Sequence, residues 1–277
     1  MRELSGAMMV SAAWVVLLAS TAGAQGAKPL TKCAPDAVVA GTVCMDKFEA
    51  SVWRVPNSVG ANKGLVKKIQ QGKAAIADLA KGGATQLGVT SDDYAPCANN
   101  GQNCTDDIYA VSVAGVTPAR FVTWFQAQAA CENARKRLPS NAEWQAAVAG
   151  TPDPGGDNGS TDCNTGSTLV VAPTGSRSSC ASSRGAFDMV GNVYEWVADW
   201  VPRSTTCGTW GPGVGPTADD QCLVGAQVTG EPGALLRGGN IYSLLAGAGA
   251  ASAGPLAVLG DFGPSSANDS FGFRCAR

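Results

Sequence analysis

The chain has 277 residues, 45% of them apolar and 15% charged, which is enough to bury a sizeable core in one large domain or two small ones and disfavours a wholly disordered polymer. A formal net charge of −2 removes any bulk attraction to nucleic acid or to an anionic membrane surface. With 35 glycines, 15 prolines and few aromatic residues, many turns and long irregular connections are expected rather than a helical bundle.

Residues 1–24 read as a cleavable secretory signal: Arg2 precedes an apolar run from Ala7 to Ala19, and the small triplet Ala22, Gly23 and Ala24 precedes Gln25. The run is too short for a membrane span, which needs ~20 apolar residues; an uncleaved anchor is the competing reading. A lipoprotein is disfavoured because Lys32 stands before Cys33, where a small residue is required. The expected location is extracytoplasmic, periplasmic or secreted, with no membrane span after cleavage. Ten cysteines, all downstream of the signal, form an even set in an exported chain, the pattern of a disulfide framework. Spacing suggests four local pairs, Cys33 with Cys44, Cys97 with Cys104, Cys163 with Cys180 and Cys207 with Cys222, which leaves Cys131 and Cys275. If those two join, they close a loop worth ~4 to 5 kcal/mol in the chain-entropy account. Zinc is the rival reading, but the sequence has no CxxC pair and no histidine.

In chain order, TVCMDKFEASVW, ending at Trp53, alternates apolar and polar positions as a half-buried strand does and opens the sheet. Residues 64–80 place Leu65, Ile69, Ile76 and Leu79 at helical spacing and end at Gly82 and Gly83; the intervening Lys67, Lys68 and Lys73 read as a solvated helix face rather than a binding patch. Asp92, Asp93, Asp106 and Asp107 surround Cys97 and Cys104 in a stapled acidic loop that departs from the EF-hand pattern, so a solvated loop is favoured over calcium. The sequons at Asn103, Asn158 and Asn268 matter only in a glycosylating host. Pro118 to Arg135 reads as a helix with Phe121, Trp124, Phe125, Gln128 and Cys131 along one side. A second helix follows Ser140, an N-cap with Glu143 completing a capping box, and runs to Gly150. Beyond it, strand-like pieces cover 192–200 and 235–240, and the glycine-broken apolar stretch from Ile241 to Leu259 reads as a buried irregular segment. Trp124, Trp144, Tyr194, Trp196 and Trp200 are expected in the core rather than on a sugar-binding platform, with Trp210 and Tyr242 exposed.

Four strings in this order, WFQAQAACENARKRLPSNAEWQAA, GAFDMVGNVYEWVADW, LLRGGN and FGFRCAR, resemble the formylglycine-generating-enzyme (sulfatase-modifying factor) family, and CMDKFEASVW resembles its opening strand. The resemblance implies an α+β fold: a single compact domain of low regular structure, C-type-lectin-like, over residues 33–277 with 57–110 as an insertion. It also implies a bridge between Cys131 and Cys275. Active members are copper-dependent oxidases that convert a sulfatase cysteine to formylglycine and hold the metal through two cysteines shortly after an RGGSW-like string. The corresponding positions here are Ser243 and Ala248, and no cysteine lies between Cys222 and Cys275. Copper(I) wants soft thiolates, which neither a hydroxyl nor a methyl replaces, so no copper is expected. The ergothioneine-synthesis branch uses histidine-ligated iron, and this chain has no histidine.

The resemblance implies one surviving metal site, a structural calcium held by the side chains of Asp188 and Glu195 and the carbonyls of Gly191 and Val193, an oxygen set that suits the ion. The alternative for these residues is a hydrogen-bonded corner in which Glu195 caps backbone amides. The family's second calcium site is damaged: Asn164 matches its first ligand, but the acid expected before Ala172 and Pro173 is absent. The function expected is an exported, disulfide-stabilised, non-catalytic module that binds a protein or glycan partner or serves the envelope, with a candidate groove at Arg237, Asn240, Tyr242 and Ser243. Without histidine there is no Ser-His-Asp or Cys-His arrangement. The rival is an enzyme of the same family with a different, non-copper chemistry, such as a hydrolase drawing on Asp188, Glu195, Asp199 and Asp261. Residual oxidase action would require two of the cysteines to be free.

Overall fold

The computed structural model describes residues 30–104, 107–153, 157–210, 219–246 and 252–277; the signal-like segment lies outside them. The alternating opening string is not one strand. β1 (Ala37–Ala40) and β2 (Val43–Asp46) form an antiparallel hairpin around Gly41, and after a bend at residues 47–50 the chain resumes as β3 (Ser51–Arg54). The break follows from a change of partners: Asp46 N donates to Cys275 O at 2.8 Å and Ala50 N to Phe273 O at 2.8 Å, whereas β3 pairs elsewhere.

The single helix expected over 64–80 is two, α1 (Lys63–Gln70) and α2 (Ile76–Lys81). Gly72 divides them: its φ is +65°, and a Cβ there would lie 2.0 Å from Asp36 Oδ1, so neither helical continuation nor a side chain is tolerated. Leu65, Ile69 and Leu79 are buried as their spacing requires, while Ile76 is exposed. β4 (Thr85–Leu87) and β5 (Ile108–Val111) flank β3 in a three-stranded antiparallel sheet. α3 (Trp124–Asn133) begins later than Pro118 suggested, because Thr123 is its cap: Thr123 Oγ1 accepts from Gln126 N, and Gln126 Oε1 accepts from Thr123 N. Phe121, with φ +54°, lies outside the helix. α4 (Asn141–Val148) starts where the sequence says, on the reciprocal bonds of Ser140 and Glu143.

β6 (Tyr194–Val201), β7 (Thr206–Thr209), β8 (Asp220–Val224), β9 (Gly233–Arg237), β10 (Val258–Leu259) and β11 (Phe271–Phe273) form a six-stranded mixed sheet in the order β11-β6-β9-β10-β8-β7. Between β9 and β10, Ser243–Ala246 makes a 3₁₀ turn. This is the α+β class expected. Trp144, Trp196 and Phe273 are fully buried. Trp200 is not: it is 45% exposed and meets Trp124 and Phe125 edge-on, whereas Trp210 and Tyr242, expected on the surface, are half-buried.

All ten cysteines are paired: the four local bridges and Cys131–Cys275, 144 residues apart. Beside that long bridge, Arg277 and Cys44 exchange two backbone hydrogen bonds of 2.9 Å, and buried Lys136 ion-pairs with Asp36 at 2.9 Å and Asp46 at 2.7 Å. No helix among the described residues is long and apolar enough to cross a membrane.

Candidate functional site

The string FDMVGNVYEW makes a tight corner before β6, with Asp188, Gly191 and Asn192 all at positive φ. Gly191 is required: a Cβ there would sit 2.5 Å from Asn164 O. Asn192 reaches the left-handed region and is held by its own amide, Oδ1 accepting from Ala172 N at 2.8 Å and Nδ2 donating to Glu49 Oε2 at 2.6 Å. Glu49, fully buried, also accepts from Val193 N at 3.2 Å. The carboxylate that caps the corner's backbone is thus Glu49, not Glu195.

Glu195 faces a guanidinium. Its Oε1 accepts from Arg274 Nη2 at 2.6 Å, and its Oε2 accepts from Arg274 Nε and from Trp144 Nε1, each at 2.7 Å. Arg274, itself fully buried, donates further to Phe187 O and Asp46 O. Asp188 Oδ2 accepts from Gly175 N at 2.6 Å. Three carboxylates, Glu49, Asp188 and Glu195, therefore share one interior region with Arg274. Burial, and then the charges of Asp188 and Glu195, push the Glu49 carboxyl well above its usual range, and burial pushes Asp188 up to about 6.

Calcium is the ion that the family resemblance implies for these residues. Asp188 has the right chemistry, but three of the roughly four acceptor positions of Glu195 are filled, two of them by a guanidinium in fork geometry. The four residues as placed do not fit a calcium cage, since Arg274 already supplies the cation that Glu195 faces. Asn164, matched to the damaged second site, is held by hydrogen bonds with Arg177, Asn192 and Val170.

The candidate groove is also largely interior. Arg237, Asn240 and Ser243 are 3%, 6% and 2% exposed. The Arg237 guanidinium lies 4.6 Å over the Trp144 ring and donates to Pro255 O, Leu256 O and Gln145 Oε1; burial lowers its pKa to about 10. Ser243 closes the RGGN loop, its hydroxyl accepting from Asn240 N at 3.0 Å, while Asn240 Nδ2 donates to Ser270 Oγ at 2.8 Å. Ala248 lies outside the described residues. Trp144 thus joins the two expected sites into one network: Arg237 on its face, Glu195 on its nitrogen.

Tyr242 alone of the four borders open space, a cavity of about 350 Å³ that it shares with Arg120, Thr90 and Thr117 under a lip of exposed Leu169 and Val170. Tyr242 Oη donates to Asp269 Oδ2 at 2.8 Å, and this bond raises the phenol's pKa. Arg120 stacks on Phe121 and donates to Val89 O and Asp269 O, leaving its Nε buried without a partner. Sequence reasoning missed Arg120, as it missed Glu49 and Arg274. Of the rival hydrolase carboxylates, Glu195 is tied to Arg274, and Asp199 accepts from Asn141 N at 2.6 Å at the start of α4. Among the described residues, the metal-capable group of closest atoms is Cys207, Cys222 and Asp261, whose two sulfurs are joined to each other and so offer no thiolate.

A mixed α+β domain with a buried GNVYEW corner tied to a GFRC strand defines a sulfatase-modifying-factor-type module. The family model described as the sulfatase-modifying factor enzyme 1-like domain matches residues 84–277, and the chain belongs to that family. Among curated relatives it is 37% identical over 89 residues to the hercynine oxygenase of Mycobacterium tuberculosis, covering 28% of this chain and 21% of that protein. It is 37% identical over 87 residues to the serine/threonine-protein kinase Pkn1 of Chlamydia trachomatis, covering 30% of this chain and 14% of that one. These matches span about a fifth of the relatives' length or less. Among solved structures, the Major Tropism Determinant M1 variant aligns with a TM-score of 0.38 at 20% identity, over 65% of this chain and 47% of that one.

Proposed function

We propose that this chain is a binding module of the sulfatase-modifying factor family without the family's thiol-based oxidase chemistry, working in an oxidising, extracytoplasmic compartment. The observation that carries this reading is that every cysteine is in a disulfide, while Ser243, at one of the two positions that hold copper cysteines in active members, is a buried loop-closing hydroxyl. Five bridges suit an oxidising compartment, and the signal-like segment agrees with export. The binding surface in this reading is the Tyr242 cavity, where an apolar lip beside a guanidinium and a phenol suits a protein or glycan that offers an apolar group next to a hydrogen-bond acceptor.

Titration of the native and the denatured, unreduced chain with a thiol reagent tests the reading, together with an assay of copper-supplemented protein on a cysteine peptide. No reactive thiol and no turnover are expected; two reactive thiols accompanied by turnover would replace the binding module with an oxidase.

A further inference from the structure

Between α1 and the C-terminal end of α3 lies a concavity of about 680 Å³ that the reading above does not use. Its floor is Tyr109 on β5, one wall is the face of α1 carrying Lys63, Val66, Lys67 and Gln70, and the other carries Glu132 and Arg135. The spacing of the wall residues is that of one helix face, and the burial of Leu65 and Ile69 on the opposite side fixes that face outward. Gln70 Nε2 donates to Asn133 O at 3.0 Å and pins the two walls together.

The charge of this concavity is unbalanced. Lys63, Lys67 and Arg135 are exposed, and none has a carboxylate partner among the described residues, although Lys68, one position on, is paired with Asp78. The one acid in the lining, Glu132, accepts from Gln128 Nε2 at 2.6 Å. Three cations thus face one acid in a chain whose formal net charge is −2. Lys63 and Lys67 stand one turn apart and repel, and Lys63 sits in the first turn of a helix with no acid there to offset it, the end where a cation is disfavoured. The helix would be better served by other residues at these positions, unless an anion completes the site.

We propose that this concavity binds an acidic saccharide, its carboxylate or sulfate held between Lys63, Lys67 and Arg135 and its hydroxyls meeting the Gln71 amide and Ser58. The shape favours a short sugar over a peptide strand: a hollow within the usual ~300–1,000 Å³ of small-molecule sites, bounded by two helices. Its α1 wall precedes residue 84, where the family match begins, and it shares no lining residue with the Tyr242 cavity.

Calorimetric titration of the full disulfide-bonded chain with a uronic-acid disaccharide, a sulfated disaccharide and a neutral disaccharide tests this. One or both acidic sugars are expected to bind at a single site and the neutral one at least about tenfold more weakly. Binding should weaken at 1 M salt, where the screening length falls from ~10 Å to ~3 Å. Lys67→Glu and Arg135→Glu should each weaken it roughly tenfold or more, the scale of one charge-assisted contact, with Tyr242→Ala unaffected. All three positions can be changed without opening the core, and melting curves verify folding. Absence of binding by both acidic sugars, equal binding of the neutral one, indifference to Lys67→Glu, or tighter binding of an acidic peptide would each overturn the proposal.

Discussion

The corner before β6 and the outer face of α1 both concentrate charge, and the fold treats them in opposite ways. At the corner, Glu49, Asp188 and Glu195 are buried, and hydrogen bonds from Arg274, Trp144, Asn192 and backbone amides fill about half of their acceptor positions. On α1, Lys63 and Lys67 are exposed and have no ionic partner among the described residues. A charge removed from water must find partners to persist, so the corner's chemistry is committed to holding the chain together. A charge left in water costs little and stays available. The carboxylates of the corner face Arg274 and backbone amides, whereas the lysines of α1 face solvent.

The comparison breaks first at Arg274. Arg274→Met leaves three buried carboxylates without their guanidinium and is expected to cost about 3–5 kcal/mol in urea unfolding, or to prevent folding. A second change, Glu195→Met in the same chain, should recover much of the loss; no recovery would mean that the arginine acts by shape rather than by charge.

Next in size is the effect of pH. The Asp188 carboxyl titrates at about 6 in the folded chain against an ordinary 3.8, raised mainly by burial. The native state therefore holds a proton that the unfolded chain has released between these values. Stability should fall as pH rises through that window, with the full deficit present above the folded value. Glu49, also raised, acts in the same direction. Asp188→Asn should shift the slope between pH 4 and pH 6 upward relative to the wild type and stabilise the chain at pH 7 by about 1–3 kcal/mol; identical slopes in the two proteins would contradict this.

Calcium sharpens the contrast further. With Arg274 as the corner's cation, melting curves in calcium and in chelator should coincide, whereas a rise in calcium that vanishes in Glu195→Ala would reinstate the ion. The smallest effect belongs to α1: Lys63→Glu with Lys67→Glu should change stability by no more than about 0.5 kcal/mol, measured by thermal melting. A large loss would mean that these lysines are structural after all.

What could be read from the sequence was what acts over a few residues. Ser140 and Glu143 announce α4 because their reciprocal bonds span one turn, and the same signature in Thr123 and Gln126 marks the start of α3, five residues after Pro118. The α+β class was legible from the four strings, whereas the burial of Arg237, Asn240 and Ser243, expected to line a groove, was not. Glu49 and Asn192 are 143 residues apart, and Glu195 and Arg274 79 apart, so no local pattern joins them. Trp200 was misjudged because β6 loses its regular pairing with β9 between Trp196 and Trp200, and the alternation that buries Trp196 does not carry over.

Residues 271–277 supply strand β11, the second half of the long bridge, Arg274 for the corner, and an Arg277 that closes against Cys44 and Asp36. The domain consequently cannot lock until that stretch has left the ribosome. Up to that moment Cys131 has no mate, and the 144-residue closure has to wait for the last strand.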